Sequence, residues 1–252
     1  MNLWQREDLR RATGETLRPG GFELTRRGLA LCGQLCGLKR HARVLDIGCG
    51  AGATLRLLEK EGYLAFGLDK SPPLSRTNGL VVRADLMRPP FAAATMDAVV
   101  SECVLSLMPF PLAALEEWSR VLRPGGALLL TEFYIRNSAT ARTCSAASNS
   151  PVSHVQNFFE DAPYTASPQN GSCLDGARPA AEWNVLLEQS GFFLHTFEDH
   201  STGLAELAAR IVWYGRSDLP GAFSLPPSAG GCRTRYGYGL WIAQKETPCT
   251  LS

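Results

Sequence analysis

The chain has 252 residues, of which 45% are hydrophobic and 19% are charged, and its formal net charge is +1. These values are typical of a soluble globular protein and allow one large domain or a domain with an added lobe. A net charge this close to zero argues against nucleic acid or an anionic membrane surface as a partner.

The start of the chain is charged from the sixth residue onward and lacks the apolar core of a signal peptide. No stretch approaches the roughly 20 apolar residues of a membrane span. The eight cysteines form no C-x-x-C pair, so neither a zinc site nor a thioredoxin-like motif is predicted. We therefore expect a cytoplasmic protein without a disulfide framework and without a resident metal.

The predicted elements alternate between helices and strands along most of the chain. This alternation predicts an α/β fold with a doubly wound, mostly parallel, seven-stranded Rossmann-like sheet. In chain order the elements are a helix at 22–38, a strand at 44–47, a helix at 54–60, strands at 64–69, 80–85 and 97–102, a helix at 112–122, a strand at 127–133, a helix at 180–190, a strand at 192–198, a helix at 204–214 and a strand at 236–244.

The run at 44–52, Val-Leu-Asp-Ile-Gly-Cys-Gly-Ala-Gly, predicts a nucleotide-type pocket. Its apolar half is typical of a strand that is buried on both faces, and its glycines allow a sharp turn with a close approach to a ligand. The glycines fit the dinucleotide pattern G-x-G-x-x-(G/A) only loosely. Asp46 would repel a pyrophosphate, whereas it would attract the ammonium group of a cofactor with an amino-acid tail.

Acidic residues also close the next two predicted strands, at Asp69 and Asp85. The carboxyl ends of parallel strands meet at one edge of the sheet, which is where open α/β sheets bind their ligands. The sequence therefore predicts a crevice lined by carboxylates at that edge. The segment between Asp69 and the third strand contains Pro72 and Pro73, so the helix expected there is very short or absent.

Five sequence motifs between residues 40 and 135 follow one another in the order and spacing of class I S-adenosylmethionine-dependent methyltransferases, which the chain resembles. The core is similar to the methyltransferase type 11 and UbiE-like group. The motifs are the run at 44–52, Asp69, Ala84-Asp85, Met96-Asp97-Ala98-Val99-Val100 and Val121-Leu122-Arg123-Pro124-Gly125-Gly126.

The resemblance implies S-adenosylmethionine as cofactor and assigns it a set of contacts. Asp46 and the glycine turn would hold the methionine part, Asp69 the two ribose hydroxyls and Asp85 the adenine amino group, with Leu86 packed on the adenine ring. The implied cofactor contacts are Asp46, Gly48, Cys49, Gly50, Gly52, Asp69, Lys70, Asp85, Leu86 and Glu102.

A shorter resemblance concerns the methyl acceptor. Cys103 follows the fourth strand and Cys173 begins a Cys-x-x-Gly-Ala segment, as in arsenite methyltransferases, where cysteines at these positions bind the trivalent metalloid. Thiolates suit such an acceptor. Glu102 departs from that family's usual Asn, and neither Cys32 nor Cys36 is clearly placed to act as its upstream cysteine. Packing of Cys103 and Cys173 as small buried residues stays open beside this catalytic interpretation.

Glu102 is the acid best placed as a general base for an acceptor that must lose a proton. His154 and His200 are interpreted as surface residues. The long segment at 138–179 is rich in Ser, Ala, Asn and Pro and is either disordered or a lid, which would shield the reaction with Phe158, Phe159 and Tyr164. The predicted organisation is a single methyltransferase domain over 1–252, with an N-terminal helical segment (1–39), a cofactor-binding core (40–137), the insertion (138–179) and a C-terminal part (180–252).

The leading hypothesis is a methyltransferase for a small-molecule acceptor, with arsenite as one candidate. A protein or a quinone-like or lipid-like acceptor stays open. The alternatives from other classes are a non-catalytic cofactor-binding or assembly module and an NAD-dependent oxidoreductase. The sequence does not decide the oligomeric state.

Overall fold

The computed structural model describes residue 16 and residues 18–71, 80–136, 173–214 and 235–247. Helices and strands alternate in these ranges, close to the predicted positions. The helices are α1 (Gly21–Cys36), α2 (Ala53–Lys60), α3 (Pro111–Val121), α4 (Ala180–Gln189) and α5 (Ser201–Tyr214). The strands are β1 (Arg43–Ile47), β2 (Leu64–Asp69), β3 (Leu80–Arg83), β4 (Met96–Glu102), β5 (Leu122–Arg136), β6 (Arg178–Pro179), β7 (Phe192–Asp199) and β8 (Arg235–Lys245).

The strands form one sheet in the order β3-β2-β1-β4-β5-β8-β7, and the short β6 pairs with β5 outside this path. Neighbours from β3 to β5 are parallel, and β8 is antiparallel to both β5 and β7. The predicted doubly wound, mostly parallel fold is therefore confirmed. The order reverses beside β1, so a crevice opens at the carboxyl ends of β1 and β4.

Some elements differ from the sequence prediction. Strand β3 ends at Arg83, two residues before the predicted end at Asp85. Strand β5 begins at Leu122, directly after α3, although Gly125 inside it has a φ of 75° and the pairing with β4 shifts between Met96 and Ala98. Helix α5 begins at Ser201, earlier than its apolar pattern predicts, because Asp199 accepts a hydrogen bond from the Ser201 backbone N–H. The two-residue β6 is too short to leave a pattern.

Helices cover both faces of the sheet and bury two apolar clusters. Helices α3 and α4 pack on one face and contribute the fully buried Trp118 and Trp183. Helices α1 and α2 pack on the other face with residues such as Leu29 and Leu55. Successive β1 residues Val44 and Leu45 belong to opposite clusters, as alternation along a strand requires. Burial on both faces explains the near-continuous hydrophobicity of the central strands.

Within the ranges that the structure describes, none of the helices combines the length and the apolar character that crossing a membrane requires.

Candidate functional site

The glycine run forms a tight turn between β1 and α2. Gly48, Gly50 and Gly52 all have positive φ angles, of 76°, 47° and 76°. The backbone N–H of Gly48 donates to the Leu68 carbonyl at 2.7 Å, which ties the turn to the end of β2. A Cβ at Gly48 would overlap the Val104 side chain, so the turn leaves no room for a side chain there. The turn therefore has the shape that a close approach to a ligand requires.

Asp69 lies at the end of β2, directly beside this turn. Its Oδ2 accepts the Gly50 backbone N–H at 3.0 Å, and its Oδ1 accepts the Ser71 backbone N–H at 2.8 Å. A carboxylate has about four acceptor positions, so each oxygen can still accept a hydroxyl donor. The backbone contacts fix the orientation of the carboxylate, and its partial exposure leaves it accessible.

The other predicted adenosine-side residues lie next to Asp69 at the same sheet edge. The Lys70 ammonium is 3.9 Å from Asp85 Oδ1, and both side chains are more than half exposed. Asp85 Oδ1 also accepts the Met87 backbone N–H at 3.1 Å. Leu86 is buried in the core, and its carbonyl accepts the Trp118 indole N–H at 2.9 Å, which anchors the Asp85 turn to α3. The contact of Leu86 with adenine stays a prediction.

Asp46 is buried on β1 beneath the glycine turn. Burial raises the pKa of Asp46 well above its usual range, the neighbouring Glu102 adds to this rise, and the Arg18 guanidinium opposes it. Asp46 Oδ2 and Arg18 Nε are both buried, and neither has a hydrogen-bond partner in the described part of the chain. Arg18 is ion-paired with Glu102 through another guanidinium nitrogen, so one oxygen of Asp46 and one N–H of Arg18 are left without a partner, an acceptor and a donor that fit the two ends of a zwitterionic ligand.

Glu102, at the end of β4, is engaged by three side chains from elsewhere in the fold. Its Oε1 accepts the Thr25 hydroxyl and its Oε2 accepts the Thr54 hydroxyl, each at 2.8 Å. Arg18 lies 2.9 Å from Oε2, and the Glu102 side chain is only 5% exposed. A carboxylate in this environment has lost most of its free acceptor capacity, which favours a structural or binding role over proton abstraction.

Sequence reasoning missed Arg18, Thr25 and Thr54. Arg18 and Thr25 precede the first strand, and nothing in their neighbourhood connects them with a strand end about 80 residues away. Thr54 could have been found, because a hydroxyl in the first turn of the helix after a glycine loop faces that loop.

The structure brings together the two cysteines proposed to bind the acceptor. Cys103 follows β4 with a φ of 58°, which is unusual for a residue with a side chain. Burial raises the pKa of Cys103 well above its usual range, and a hydrogen bond with Cys173 adds to this rise. Cys103 Sγ is 3.0 Å from the Tyr238 hydroxyl, which itself donates to Thr131 at 2.9 Å. Cys103 is therefore held as a protonated thiol beside Cys173.

The remaining candidate residues are buried or lie at the surface, and the cofactor contact of Cys49 stays a prediction. Cys49 is buried in the glycine turn with a raised pKa, mainly because of burial. Cys32 is buried on α1, and burial raises the pKa of Cys36 to about 11. His200 is partly exposed, with Nε2 at 3.0 Å from Glu198. Among the described residues, no cluster of three or more His, Cys, Asp or Glu side chains could hold a metal ion.

Several predictions lie outside the described residues. These concern the short or absent helix over 72–79 and most of the insertion, including His154, Phe158, Phe159 and Tyr164.

Comparison with known proteins identifies the core. The family model of the methyltransferase domain matches residues 45–130, which run from β1 into β5 and include the glycine turn, Asp69 and Asp85. This segment is similar to the methyltransferase-domain family. The resemblance of the core to class I methyltransferases is thereby confirmed. Among curated relatives, cycloartenol-C-24-methyltransferase 1 of Oryza sativa subsp. japonica is 32% identical over 122 residues, which are 41% of this chain and 36% of that protein.

Solved structures share the fold over most of the chain. Phosphoethanolamine N-methyltransferase 2 of Haemonchus contortus, bound to phosphomonomethylethanolamine and S-adenosylhomocysteine, aligns with a TM-score of 0.62 at 16% identity, over 95% of this chain and 56% of that one. The [4+2]-cyclase SpnF aligns with a TM-score of 0.58 at 21% identity, over 89% of this chain and 82% of that one. The chain spans 30% and 36% of the length of two curated relatives, so the match concerns the core rather than the whole of those proteins.

Proposed function

We propose that this chain transfers a methyl group from S-adenosylmethionine to a small-molecule acceptor. The observation that carries the proposal is the convergence of the glycine turn, Asp46 and Asp69 at the carboxyl ends of β1 and β2, within the segment that matches the methyltransferase domain. Structures of the same fold with S-adenosylmethionine or S-adenosylhomocysteine bound support this choice of cofactor. A cytoplasmic location remains an expectation from the sequence.

The residues around the glycine turn fit the methionine part of this cofactor. Asp46 Oδ2 would accept from its ammonium group, and Arg18 Nε would donate to its carboxylate, which would give both buried atoms a partner. Glu102, Thr25 and Thr54 would hold Arg18 in place rather than contact the reacting atoms.

The second half of the site fits the adenosine part. The free acceptor positions of Asp69 suit the two adjacent ribose hydroxyls, because both of its oxygens are already oriented by backbone donors. Asp85 would accept from the adenine amino group, with Lys70 beside it.

The cofactor supplies an activated sulfonium methyl group, so the protein mainly provides alignment and exclusion of water. A general base is required only when the acceptor loses a proton. The three donors around Glu102 favour an acceptor that attacks with an available lone pair. A role of Glu102 as base stays a prediction.

Replacing Asp69 by Asn is expected to weaken binding of S-adenosylhomocysteine by about 10- to 100-fold, because hydrogen bonds to a charged acceptor contribute about 1.5–3 kcal/mol. Isothermal titration of both proteins with S-adenosylhomocysteine and with NADH measures this. Asp97→Asn is the matched control, since Asp97 lies at the opposite edge of the sheet and contacts Arg43 and Arg123. Binding of NADH with no response to S-adenosylhomocysteine would contradict the proposal in favour of an oxidoreductase.

A second, finer candidate is methylation of a thiol-bound trivalent metalloid such as arsenite. The adjacency of Cys103 and Cys173 favours it, because two neighbouring sulfur ligands suit a thiophilic centre. Each As–S bond would form as the thiol proton leaves with an arsenite hydroxyl as water, so binding releases no net proton and is expected to change little with pH around neutrality.

Arsenite-dependent methyl transfer is expected in the wild type and to fall at least about tenfold in Cys103→Ser and in Cys173→Ser, because oxygen is a poorer ligand for a soft centre. Cys36→Ser on α1 is the control. Absence of methylated arsenic with the wild type, in the presence of tight S-adenosylhomocysteine binding, would return both cysteines to a packing role.

The same titration separates the remaining alternatives. SpnF is named as a cyclase, so this fold also occurs in a protein named for a different reaction. Tight cofactor binding without methyl transfer to small molecules, quinones, lipids or proteins would favour a non-catalytic or assembly module.

A further inference from the structure

The turn that follows β4, residues 103–107, is packed between two parts of the candidate site. On one side the Val104 side chain fills the space where a Cβ of Gly48 would lie. On the other side the Ser106 carbonyl fills the space where a Cβ of Gly176 would lie, in the turn that begins with Cys173. A shift of this turn would therefore disturb both the glycine turn and the Cys173 turn, because it is closely packed against each of them.

A single buried carboxylate holds this turn. Glu132, on the central strand β5, is fully buried. It accepts the Ser106 hydroxyl at 2.8 Å and the Ser106 backbone N–H at 3.3 Å, and the backbone N–H groups of Val104 and Leu105 also donate to it. Converging backbone donors of this kind are what a buried carboxylate needs to stay inside a protein. The methyl-transfer function proposed above makes no use of Glu132.

We propose that Glu132 is a positioning residue that fixes the 103–107 turn and thereby sets both the cofactor turn at Gly48 and the Cys103–Cys173 pair. The part that concerns the cofactor rests on the proposed function, whereas the part that concerns the cysteines does not. Cys103 is the reporter closest to the anchor, because it begins the turn and its thiol lies within the electrostatic influence of Glu132.

The decisive variant is Glu132→Gln, which keeps the size of the side chain. Glutamine has one acceptor oxygen and one donor nitrogen, so its NH₂ group would face the donors of the turn. Ser106→Ala is the milder second variant, since it removes only the hydroxyl bond. Glu117→Gln on the surface of α3 is the matched control, because that carboxylate contacts Arg120 and not the turn.

The test is the rate of alkylation by iodoacetamide, measured at each cysteine of the full chain by peptide mass spectrometry. In Glu132→Gln we expect Cys103 and Cys173 to react about tenfold faster, because losing one charged hydrogen bond would expose these thiols about tenfold more often. Cys32, buried on α1, reports global opening and is expected to be unchanged. The proposal would be overturned if Cys103 and Cys173 reacted in Glu132→Gln at the same rates as in the wild type, or if Cys32 showed a parallel rise. If Glu132→Gln does not fold, Ser106→Ala decides by the same criterion.

The pH dependence of stability gives a second readout. Burial raises the pKa of Glu132 to about 7, and its bonds with Ser106 oppose this rise. Because this value exceeds the usual one of 4.5, the folded chain binds the proton more tightly, and the free energy of unfolding falls as pH rises from about 4.5 to about 7. Among the described titratable groups, Cys103 interacts with Glu132 and itself contacts Cys173 and Tyr238, and the pKa of Cys103 and of Tyr238 is raised away from this range.

Urea unfolding between about pH 5 and about pH 8 should therefore show a fall in the free energy of unfolding with rising pH in the wild type, and this fall should be absent in Glu132→Gln. An identical pH slope in the two proteins would contradict an ionisable anchor at this position. Titration with S-adenosylhomocysteine separates the two proposals. Selective alkylation together with weaker binding in Glu132→Gln supports both, whereas selective alkylation in a chain whose wild type does not bind S-adenosylhomocysteine refutes the proposed function and leaves the positioning role supported.

Discussion

Replacing Gly48 by Ala is expected to weaken binding of S-adenosylhomocysteine by about 100-fold, or nearly 3 kcal/mol. Two effects add. The φ of 76° at this position is unfavourable for alanine by about 1 kcal/mol, and the new Cβ would overlap the Val104 side chain. Since Val104 is itself held in the 103–107 turn, the glycine turn must move instead, away from the geometry that places Gly50 against Asp69. Isothermal titration measures the loss.

The chain offers a control for the backbone contribution alone. Gly191, between α4 and β7, has a φ of 79°, and a Cβ there would meet no atom within 4 Å in the described part of the chain. Gly191→Ala should therefore destabilise the fold by about 1 kcal/mol in urea unfolding and leave binding intact. A double variant that combines Gly48→Ala with Val104→Ala should recover part of the affinity. If Gly48→Ala binds as well as Gly191→Ala, the close packing at Gly48 has no role in the site.

The sheet was predictable because its signals are local. Strand β2 occupies the predicted residues 64–69, since an apolar run that ends in an acid carries both its type and its end in a few adjacent residues. The glycine turn, Asp69 and Asp85 were predictable for the same reason, because each lies at or within two residues of a strand end. The insertion of β8 between β5 and β7 is a long-range pairing, which periodicity along the chain does not encode.

The parts of the site that were not predictable depend on contacts between distant segments. Arg18 meets Glu102 only because α1, which packs on β5 and β8, begins beside the carboxyl end of β4. Glu132 did leave a signal, since it is an acid between Thr131 and Phe133 in the largely apolar middle of β5. A buried charge of that kind requires a partner, but its partner Ser106 lies 26 residues away and is not marked by any motif.

Replacing Arg18 by Met is expected to lower the free energy of unfolding by about 3–5 kcal/mol, because it leaves Glu102 buried without its cation. Glu102 is 5% exposed and would keep only the Thr25 and Thr54 hydroxyls as partners among the contacts described here. Urea unfolding measures this loss. Arg27→Met on α1 is the control, since its ion pair with Glu198 is exposed and should contribute little to stability.

The same variant also separates a structural role of Arg18 from a binding role. Combining Arg18→Met with Glu102→Gln removes the unpaired charge, so most of the lost stability should return. Affinity for S-adenosylhomocysteine should not return, because the donor proposed for the cofactor carboxylate is still missing. A double variant that recovers both stability and affinity would show that Arg18 only neutralises Glu102. Recovery of stability without affinity, in a chain whose single Glu102→Gln variant still binds S-adenosylhomocysteine, would instead place the Arg18 guanidinium at the methionine end of the cofactor, opposite Asp46.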